Sequence, residues 1–169
     1  MSRPEGYPML RSVVRNHIWP VRERFEIVHA SFPGLREHGI APGASSTDGI
    51  YAYRDRRYAL ENHDRFCYRG SLLGRVDLWG VVQRHEFGYR AQFAYPVSLA
   101  YGICCICKGT IALKSDPFAM CWTALYLAED FCVNGILCEA CNSKYCSFDM
   151  ASGRRHILGL ADRYGIVID

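Results

Sequence analysis

The sequence predicts an α+β fold, in which a mainly antiparallel β body is followed by a cysteine-rich module and a terminal helix. Two neighbouring segments in the middle of the chain alternate apolar and polar residues, which is typical of half-buried strands. The last third contains two separated CxxC pairs. The final segment has apolar residues at helical spacing and then a glycine, which predicts a helix and its end.

The composition is that of a globular protein. The chain has 169 residues, of which half are hydrophobic, 13% aromatic and 22% charged, and this excludes the disordered class. The net charge of +3 comes without a run of five or six like charges, which excludes a nucleic-acid arm or a polybasic membrane anchor. Without a secretory leader or an apolar stretch of about 18 residues, we expect a soluble cytoplasmic protein with no membrane partner.

The first half of the chain predicts short elements joined by a long loop. Apolar runs at residues 12–19 and 25–30 predict two short strands. Residues 31–49 are rich in glycine, proline and serine and predict a loop. Residues 50–53 predict a strand, and residues 56–63 predict two turns of helix.

A long antiparallel hairpin is the clearest prediction. Apolar and polar residues alternate along residues 72–83 and 89–95. The turn between these two runs contains Gly88, a residue suited to positive φ. Gly74 and Gly80 lie inside the first run and predict bulges or bends, as in a small coiled sheet or barrel. Pro96 is expected to end the second strand. The predicted domains are a β body at residues 1–100 and a metal module with the C-terminal helix at residues 101–169.

The cysteine spacing predicts a metal site. Cys104 and Cys107 form one CxxC pair, and Gly109 follows them, so that backbone N–H groups can point at the thiolates as in a zinc knuckle. Cys138 and Cys141 form a second pair, and two such pairs are typical of the tetrahedral four-cysteine site that zinc prefers. We therefore expect one structural zinc ion per chain. Four thiolates leave no position for water or substrate, so the ion stabilises the fold and does no chemistry.

The remaining cysteines leave two alternatives open. Nine cysteines without a secretory leader favour metal binding in a reducing compartment over a disulfide framework. Cys105 can replace Cys104 only in a less common CxC pair with Cys107. The cysteines without paired spacing are expected to be buried, although Cys132 or Cys146 could be a substitute ligand; they are Cys67, Cys121, Cys132 and Cys146.

One set of motifs resembles a known group of small proteins. The motifs are GIYA at 49–52, GxVxLWGxV at 74–82, GYRA at 88–91, AYP at 94–96 and LADRYGI at 160–166. Together they resemble an uncharacterised group of small proteins from actinobacteria and their phages. The resemblance implies a shared fold unit and supplies no activity.

A second resemblance is confined to the metal module. The segment GILCEACN at 135–142, with the CxxC pair upstream, is similar to the zinc-binding core of phage endonuclease VII-type HNH nucleases. The resemblance implies that Asn142 helps to hold a catalytic magnesium ion, and that an Asp-His-x-His stretch between the pairs supplies the general base and a metal ligand. Residues 120–130 contain no histidine, and Glu129 and Asp130 would be poor substitutes, so the core resembled is a degenerate one.

Several arginines and one tryptophan are candidates for partner contact. Arg54, Arg56 and Arg57 alternate with tyrosines, which indicates either a basic and aromatic patch for nucleic acid or a solvated turn after a strand. Trp79 points away from the face of Leu78, so it either covers a second layer or lies exposed as a binding hot spot.

The start of the last helix has two further arginines. Arg154 and Arg155 could bind phosphate there, but a salt bridge to Asp149 is the preferred interpretation.

The function expected from these patterns is binding without catalysis. The six histidines form no metal or catalytic motif, and no residue is assigned to catalysis. We expect a zinc-stabilised binding or adaptor protein that recognises a protein partner, a host factor if the gene is phage-borne. The alternative is a nucleic-acid-binding protein derived from an HNH-like module, and a metal-dependent nuclease ranks third.

Overall fold

The computed structural model describes residues 19–26, 42, 49–62, 72–121 and 135–169, and the structural statements below concern those residues. They form an α+β fold with a mainly antiparallel sheet, as predicted. In chain order the elements are β1 (Phe25–Glu26), β2 (Ile50–Tyr53), α1 (Arg56–Asn62), β3 (Leu72–His85), β4 (Gly88–Ile103), β5 (Thr110–Ala112), β6 (Phe118–Cys121), β7 (Gly135–Cys138), α2 (Glu139–Tyr145), α3 (Met150–Tyr164) and β8 (Val167–Ile168).

Strand β4 is the centre of the larger sheet. On one side it pairs antiparallel with β3 along almost its whole length, from Gly102 opposite Leu72 to Gly88 opposite His85. On its other side it pairs with four short strands, namely β2, β1 and β5 in antiparallel and β8 in parallel orientation. Strands β6 and β7 form a separate antiparallel pair.

The predicted hairpin and its bulges are confirmed. Register shifts occur between Leu73 and Gly74 and between Trp79 and Val82, so both interior glycines lie at irregularities. Gly80 has a φ of 76°, a conformation that favours glycine. A Cβ at Gly74 would overlap the Ser98 carbonyl oxygen, because β4 approaches the backbone closely there.

Two details of the hairpin prediction are wrong. Strand β4 does not end at Pro96 but continues to Ile103, because Pro96 pairs with Val76 beside a register shift, where a missing N–H interrupts the ladder least. Gly88 does not adopt positive φ. It is needed instead for close approach, because a Cβ there would overlap the Ala52 carbonyl oxygen of β2.

The other elements agree with the sequence where they are described. The strand at residues 50–53 and the helix predicted at 56–63 are confirmed as β2 and α1. Phe25 and Glu26 confirm the start of the second predicted strand. The strand predicted at residues 12–19 and the loop at 31–49 lie almost wholly outside the described residues.

Helix α3 ends at the predicted Gly165 but begins at Met150, about one turn before the arginines that the sequence places at its start. The Asp149 carboxylate accepts the N–H groups of Ala151 and Ser152 at 3.0 and 3.1 Å, and Gly165 ends the helix at a φ of 66°. Its buried face contains Ile157, Leu160, Ala161 and Tyr164. Leu158, which shares the apolar character of this segment, is 51% exposed, since one residue after Ile157 it is rotated about 100° around the helix axis.

Helix α3 joins the start and the end of the described chain. The Tyr164 hydroxyl donates to the Trp19 carbonyl at 2.8 Å, and the Tyr95 hydroxyl donates to the Tyr164 carbonyl at 2.6 Å. The Arg22 guanidinium donates to the last carbonyls of α3, those of Asp162 and Arg163. The predicted boundary at residue 100 lies inside β4, and one hydrophobic cluster contains residues from both sides of it.

No helix in the described parts of the chain is long and apolar enough to cross a membrane.

Two glycines of α3 provide a matched test of this packing. A Cβ at Gly153 would lie 2.5 Å from the Phe118 carbonyl oxygen of β6, whereas a Cβ at Gly159 would have nothing within 4 Å. We expect Gly153→Ala to destabilise the protein by about 1–3 kcal/mol through overpacking. Gly159→Ala should stabilise it by up to about 1 kcal/mol through helix propensity. Urea denaturation of both variants checks this, and equal effects would contradict the packing of α3 on β6.

Candidate metal centre

The four cysteines of the two CxxC pairs converge in space. The sulfur atoms of Cys104, Cys107, Cys138 and Cys141 all lie within 4.8 Å of one another. The Cys107 and Cys138 sulfurs are 3.8 Å apart. A tetrahedral site with metal–sulfur bonds of about 2.3 Å has sulfur–sulfur edges of about 3.8 Å, so the cluster could hold a metal ion.

The first pair lies in a tight turn directly after β4. The Cys104 N–H donates to the Gly109 carbonyl at 2.9 Å, and the Lys108 N–H donates to the Cys104 carbonyl at 3.0 Å. Lys108, and not Gly109, takes the positive φ of 63°. The Gly109 N–H donates to the Cys107 sulfur at 3.4 Å, and a Cβ at Gly109 would lie 3.2 Å from that sulfur. Gly109 therefore allows close approach to the thiolate.

The second pair lies at the start of α2. Cys138 ends β7 and is the N-cap residue of α2, and Cys141 lies in the first turn of this helix. Backbone N–H groups in the first turn of a helix have no acceptor within the helix, and they favour thiolate in nearby cysteines, an effect that burial outweighs for Cys138 and Cys141. The strand-to-helix junction thus supplies two sulfurs and part of their electrostatic environment.

Strand β7 brings the two pairs together. The Cys105 N–H donates to the Ile136 carbonyl at 2.8 Å, and Cys104 forms an isolated parallel bridge with Ile136. Gly102 permits this approach, because a Cβ there would lie 2.7 Å from Cδ1 of Ile136. Backbone pairing therefore holds the end of β4 against β7. This places the two CxxC pairs, which are distant in sequence, around one point.

The thiols have unequal pKa values. Burial opposes ionisation of Cys104, but the backbone N–H groups of Cys138, Cys107 and Ile106 outweigh it and lower the pKa to about 7. Burial, with the neighbouring sulfurs, raises the pKa of Cys141 to about 12. Burial also raises the pKa of Cys138 above its ordinary value. In the absence of metal, at least two of these groups hold their protons at neutral pH.

The cluster contains Cys104 and not Cys105. The Cys105 sulfur packs on Gly135, where a Cβ would lie 2.9 Å from it. Cys146 lies at the end of α2, outside the cluster, and donates its N–H to the Asn142 carbonyl. Cys67, Cys132 and the side chain of Cys121 lie outside the described residues.

The HNH resemblance implies that Asn142 helps to hold magnesium, but in the structure its side chain makes contacts within the fold. The residue is 5% exposed. The amide nitrogen donates to the Phe148 carbonyl at 2.9 Å and contacts the Met150 sulfur at 3.2 Å, and the amide oxygen accepts the Phe148 N–H at 3.1 Å. Both ends of the amide hold the connection between α2 and α3. Glu129 and Asp130 lie outside the described residues.

The arginines singled out around α1 all have partners in the chain. Arg54 lies 3.4 Å from the Asp55 carboxylate and Arg57 lies 2.7 Å from that of Glu61, and the latter pair raises the pKa of Arg57. The Arg56 guanidinium lies 4.2 Å from the centre of the Tyr101 ring.

The arginines of α3 are also engaged. Arg155 lies 3.1 Å from the Asp149 carboxylate, which confirms the preferred salt bridge. Arg154 donates to the Lys114 carbonyl at 2.9 Å.

The sequence allows Trp79 either to cover a second layer or to lie exposed, and in the structure it lies exposed. It is 38% exposed, its ring lies 6.0 Å from that of Phe93, and Arg24 lies 4.5 Å from the centre of the Phe93 ring. Trp79 and Phe93 are opposite each other in the β3–β4 hairpin, whereas Arg24 comes to Phe93 through the pairing of β1 with β4, which no local sequence pattern predicts. Trp79 also lines an open groove together with Arg22, Glu23, Arg24, Tyr95, Tyr164 and Gly165.

No family model, curated protein or solved structure matches the chain. The resemblances to the small actinobacterial and phage proteins and to the HNH core therefore stay predictions. The functional conclusion depends on the geometry of the described residues.

The unequal pKa values predict proton release on metal binding. At pH 8 the Cys138 and Cys141 thiols are protonated, and a metal ion displaces both protons when it binds their thiolates. With zinc as the probe, we expect at least two protons released per ion at pH 8. The affinity should rise with pH, and metal should be lost as the pH falls. Calorimetry in buffers of different ionisation enthalpy checks this, and pH-independent binding would contradict it.

Proposed function

We propose that the chain is a zinc-stabilised, non-catalytic binding protein that recognises a protein partner. The four-sulfur cluster is the observation that carries this proposal. All-thiolate tetrahedral sites favour zinc, and four protein ligands leave no coordination position for water or substrate. The ion would fasten β7 and α2 to the end of β4.

Burial of the cluster supports a structural role. Cys104 and Cys141 are 0% and 7% exposed and belong to the same hydrophobic cluster as Ile136 and Leu137. The internal hydrogen bonds of Asn142 also favour a structural use of this segment over magnesium-dependent hydrolysis.

Exposed apolar side chains at the β3 bulge support partner binding. Trp79, Val81 and Val82 are 38%, 40% and 44% exposed, and Arg24 lies on the neighbouring Phe93 ring. We call the four residues Trp79, Val81, Val82 and Phe93 the bulge patch. Tryptophan beside arginine is a composition enriched at interface hot spots. The bulge interrupts regular pairing of this edge, so side chains and not strand addition would make the contact.

Nucleic-acid binding is a second candidate, favoured by one region. Tyr51 is 42% exposed with Arg90 5.8 Å from its ring centre, and the Arg57 side chain is 88% exposed. Such side chains can stack on bases and contact phosphates. Binding to single-stranded DNA or RNA that weakens with salt and with Tyr51→Ala would support it. No binding at low salt would exclude it.

Cys138→Ser tests the metal part of the proposal. We expect one zinc per wild-type chain and none in the variant, with unfolding of the segment from β7 to α2, because three thiolates and a hydroxyl hold zinc poorly. Cys146→Ser is the matched control and should keep its zinc, since Cys146 lies outside the cluster. Elemental analysis and thermal denaturation measure both. Zinc retained in Cys138→Ser, or lost in Cys146→Ser, would contradict the assigned ligand set.

Trp79→Ala tests the binding part. Against a partner captured by the wild-type protein, we expect at least a tenfold loss of affinity, or about 1.4 kcal/mol, with zinc content unchanged. Leu158→Ala, at an exposed leucine on the outer face of α3, should bind as the wild type does. Unchanged affinity of Trp79→Ala would remove the bulge patch from the interface.

A further inference from the structure

The four sulfurs of the cluster differ in their access to solvent. Cys107 is exposed and Cys138 is partly exposed, whereas Cys104 and Cys141 are buried. A metal-bound thiolate remains a nucleophile when a reagent can reach it, so accessibility decides which sulfur reacts first. Of the four, Cys107 is the residue most open to a small oxidant in water.

The exposed sulfur has a second accessible sulfur beside it. Cys107 and Cys138 are 3.8 Å apart, and a disulfide requires about 2.0 Å, so one of them must move. Cys107 lies in the turn after β4, next to Lys108 with its left-handed backbone. Cys104 is held by two backbone hydrogen bonds and by its bridge to Ile136, and Cys141 lies within α2. The two more exposed cysteines are therefore also two whose sulfurs lie close enough for a small shift to join them.

We propose that Cys107 is a modification site for peroxides, with Cys138 as the resolving thiolate, and that their disulfide releases the bound metal. This inference rests on the proposed function, because it concerns the metal-loaded cluster. The reactant class is a small hydroperoxide, and hydrogen peroxide is the simplest member.

The chemistry balances with that single oxidant. The Cys107 thiolate attacks one peroxide oxygen, the O–O bond breaks, and the departing hydroxide takes a proton to become water. The Cys138 thiolate then attacks the Cys107 sulfenic acid, the S–S bond forms, and a second hydroxide leaves and is protonated. Two thiolates, one peroxide and two protons thus give one disulfide and two waters. The two sulfurs lose the two electrons that reduce the peroxide, and two thiolates remain for the metal.

The pairing has a structural consequence. Cys107 belongs to the first CxxC pair and Cys138 to the second, so their disulfide joins the same two segments that the metal joins. A disulfide within either pair would leave the turn after β4 and the start of α2 without a covalent or metal cross-link between them. Oxidation between the pairs exchanges one cross-link for another, and a thiol reductant restores the metal-binding form.

The test uses the full-length, zinc-loaded protein and hydrogen peroxide. A chromogenic chelator measures zinc release, and mass spectrometry of proteolytic peptides maps the disulfides among all nine cysteines. We expect one zinc released per disulfide formed, a dominant Cys107–Cys138 link, and recovery of zinc binding after reduction. The controls Cys105→Ser and Cys146→Ser, at cysteines outside the cluster, should release zinc at the wild-type rate. Cys107→Asp keeps an anionic side chain at this position and, if it binds zinc, should release the zinc at least tenfold more slowly. If this variant binds no zinc, the disulfide map of the wild-type protein tests the inference.

The outcomes separate this inference from the proposed function. Dominant links within a CxxC pair or to a cysteine outside the cluster would overturn the inference, as would zinc retained under excess peroxide. In those cases a zinc-loaded wild-type protein leaves the proposed structural role intact. A chain that takes up no zinc would overturn both, because there would be no metal to release.

Discussion

The backbone hydrogen bonding of β4 is the interaction on which the rest of the described structure depends. This strand has β3 along one edge and four short strands along the other. None of the short strands exceeds four residues, and strands of that length have little stability unless a longer one pairs with them. The close approaches at Gly74, Gly88 and Gly102 show how tightly the neighbouring backbones and side chains pack on both edges of β4.

The cysteine cluster extends this arrangement beyond the sheet. Cys104 follows the last residue of β4, and its bridge to Ile136 brings β7 and the start of α2 to the same place. Burial of Cys141 without metal raises its pKa, which shows that the site as folded disfavours free thiolate there. A cation removes that penalty by direct bonding, so the fold and the ion would stabilise each other.

Local sequence patterns are sufficient to predict that the long elements exist, though not where β4 ends, and to predict the cysteine set. The alternation around Leu78, the interior Gly80 and the stop at Gly165 each act within a few residues, and each prediction was confirmed. Strands β5 to β8 were not predicted as strands, because two to four residues show no periodicity and become extended only through pairing. Continuation of β4 through Pro96 depends on a register shift in β3, and the contact of Arg24 with Phe93 depends on β1 pairing with β4. Such features follow from tertiary contacts that no short window contains.

The pairing of β4 with β8 also orders events during synthesis. The β3–β4 hairpin is local and can form soon after residue 103 has emerged from the ribosome, whereas β8 pairs Ser98 with Val167. Until Val167 and Ile168 have emerged, the edge of β4 that receives β8 has unsatisfied N–H and C=O groups, which can pair with other chains. The sheet therefore closes only after residue 168 has emerged, and nascent chains stalled between these two points are the species most exposed to aggregation.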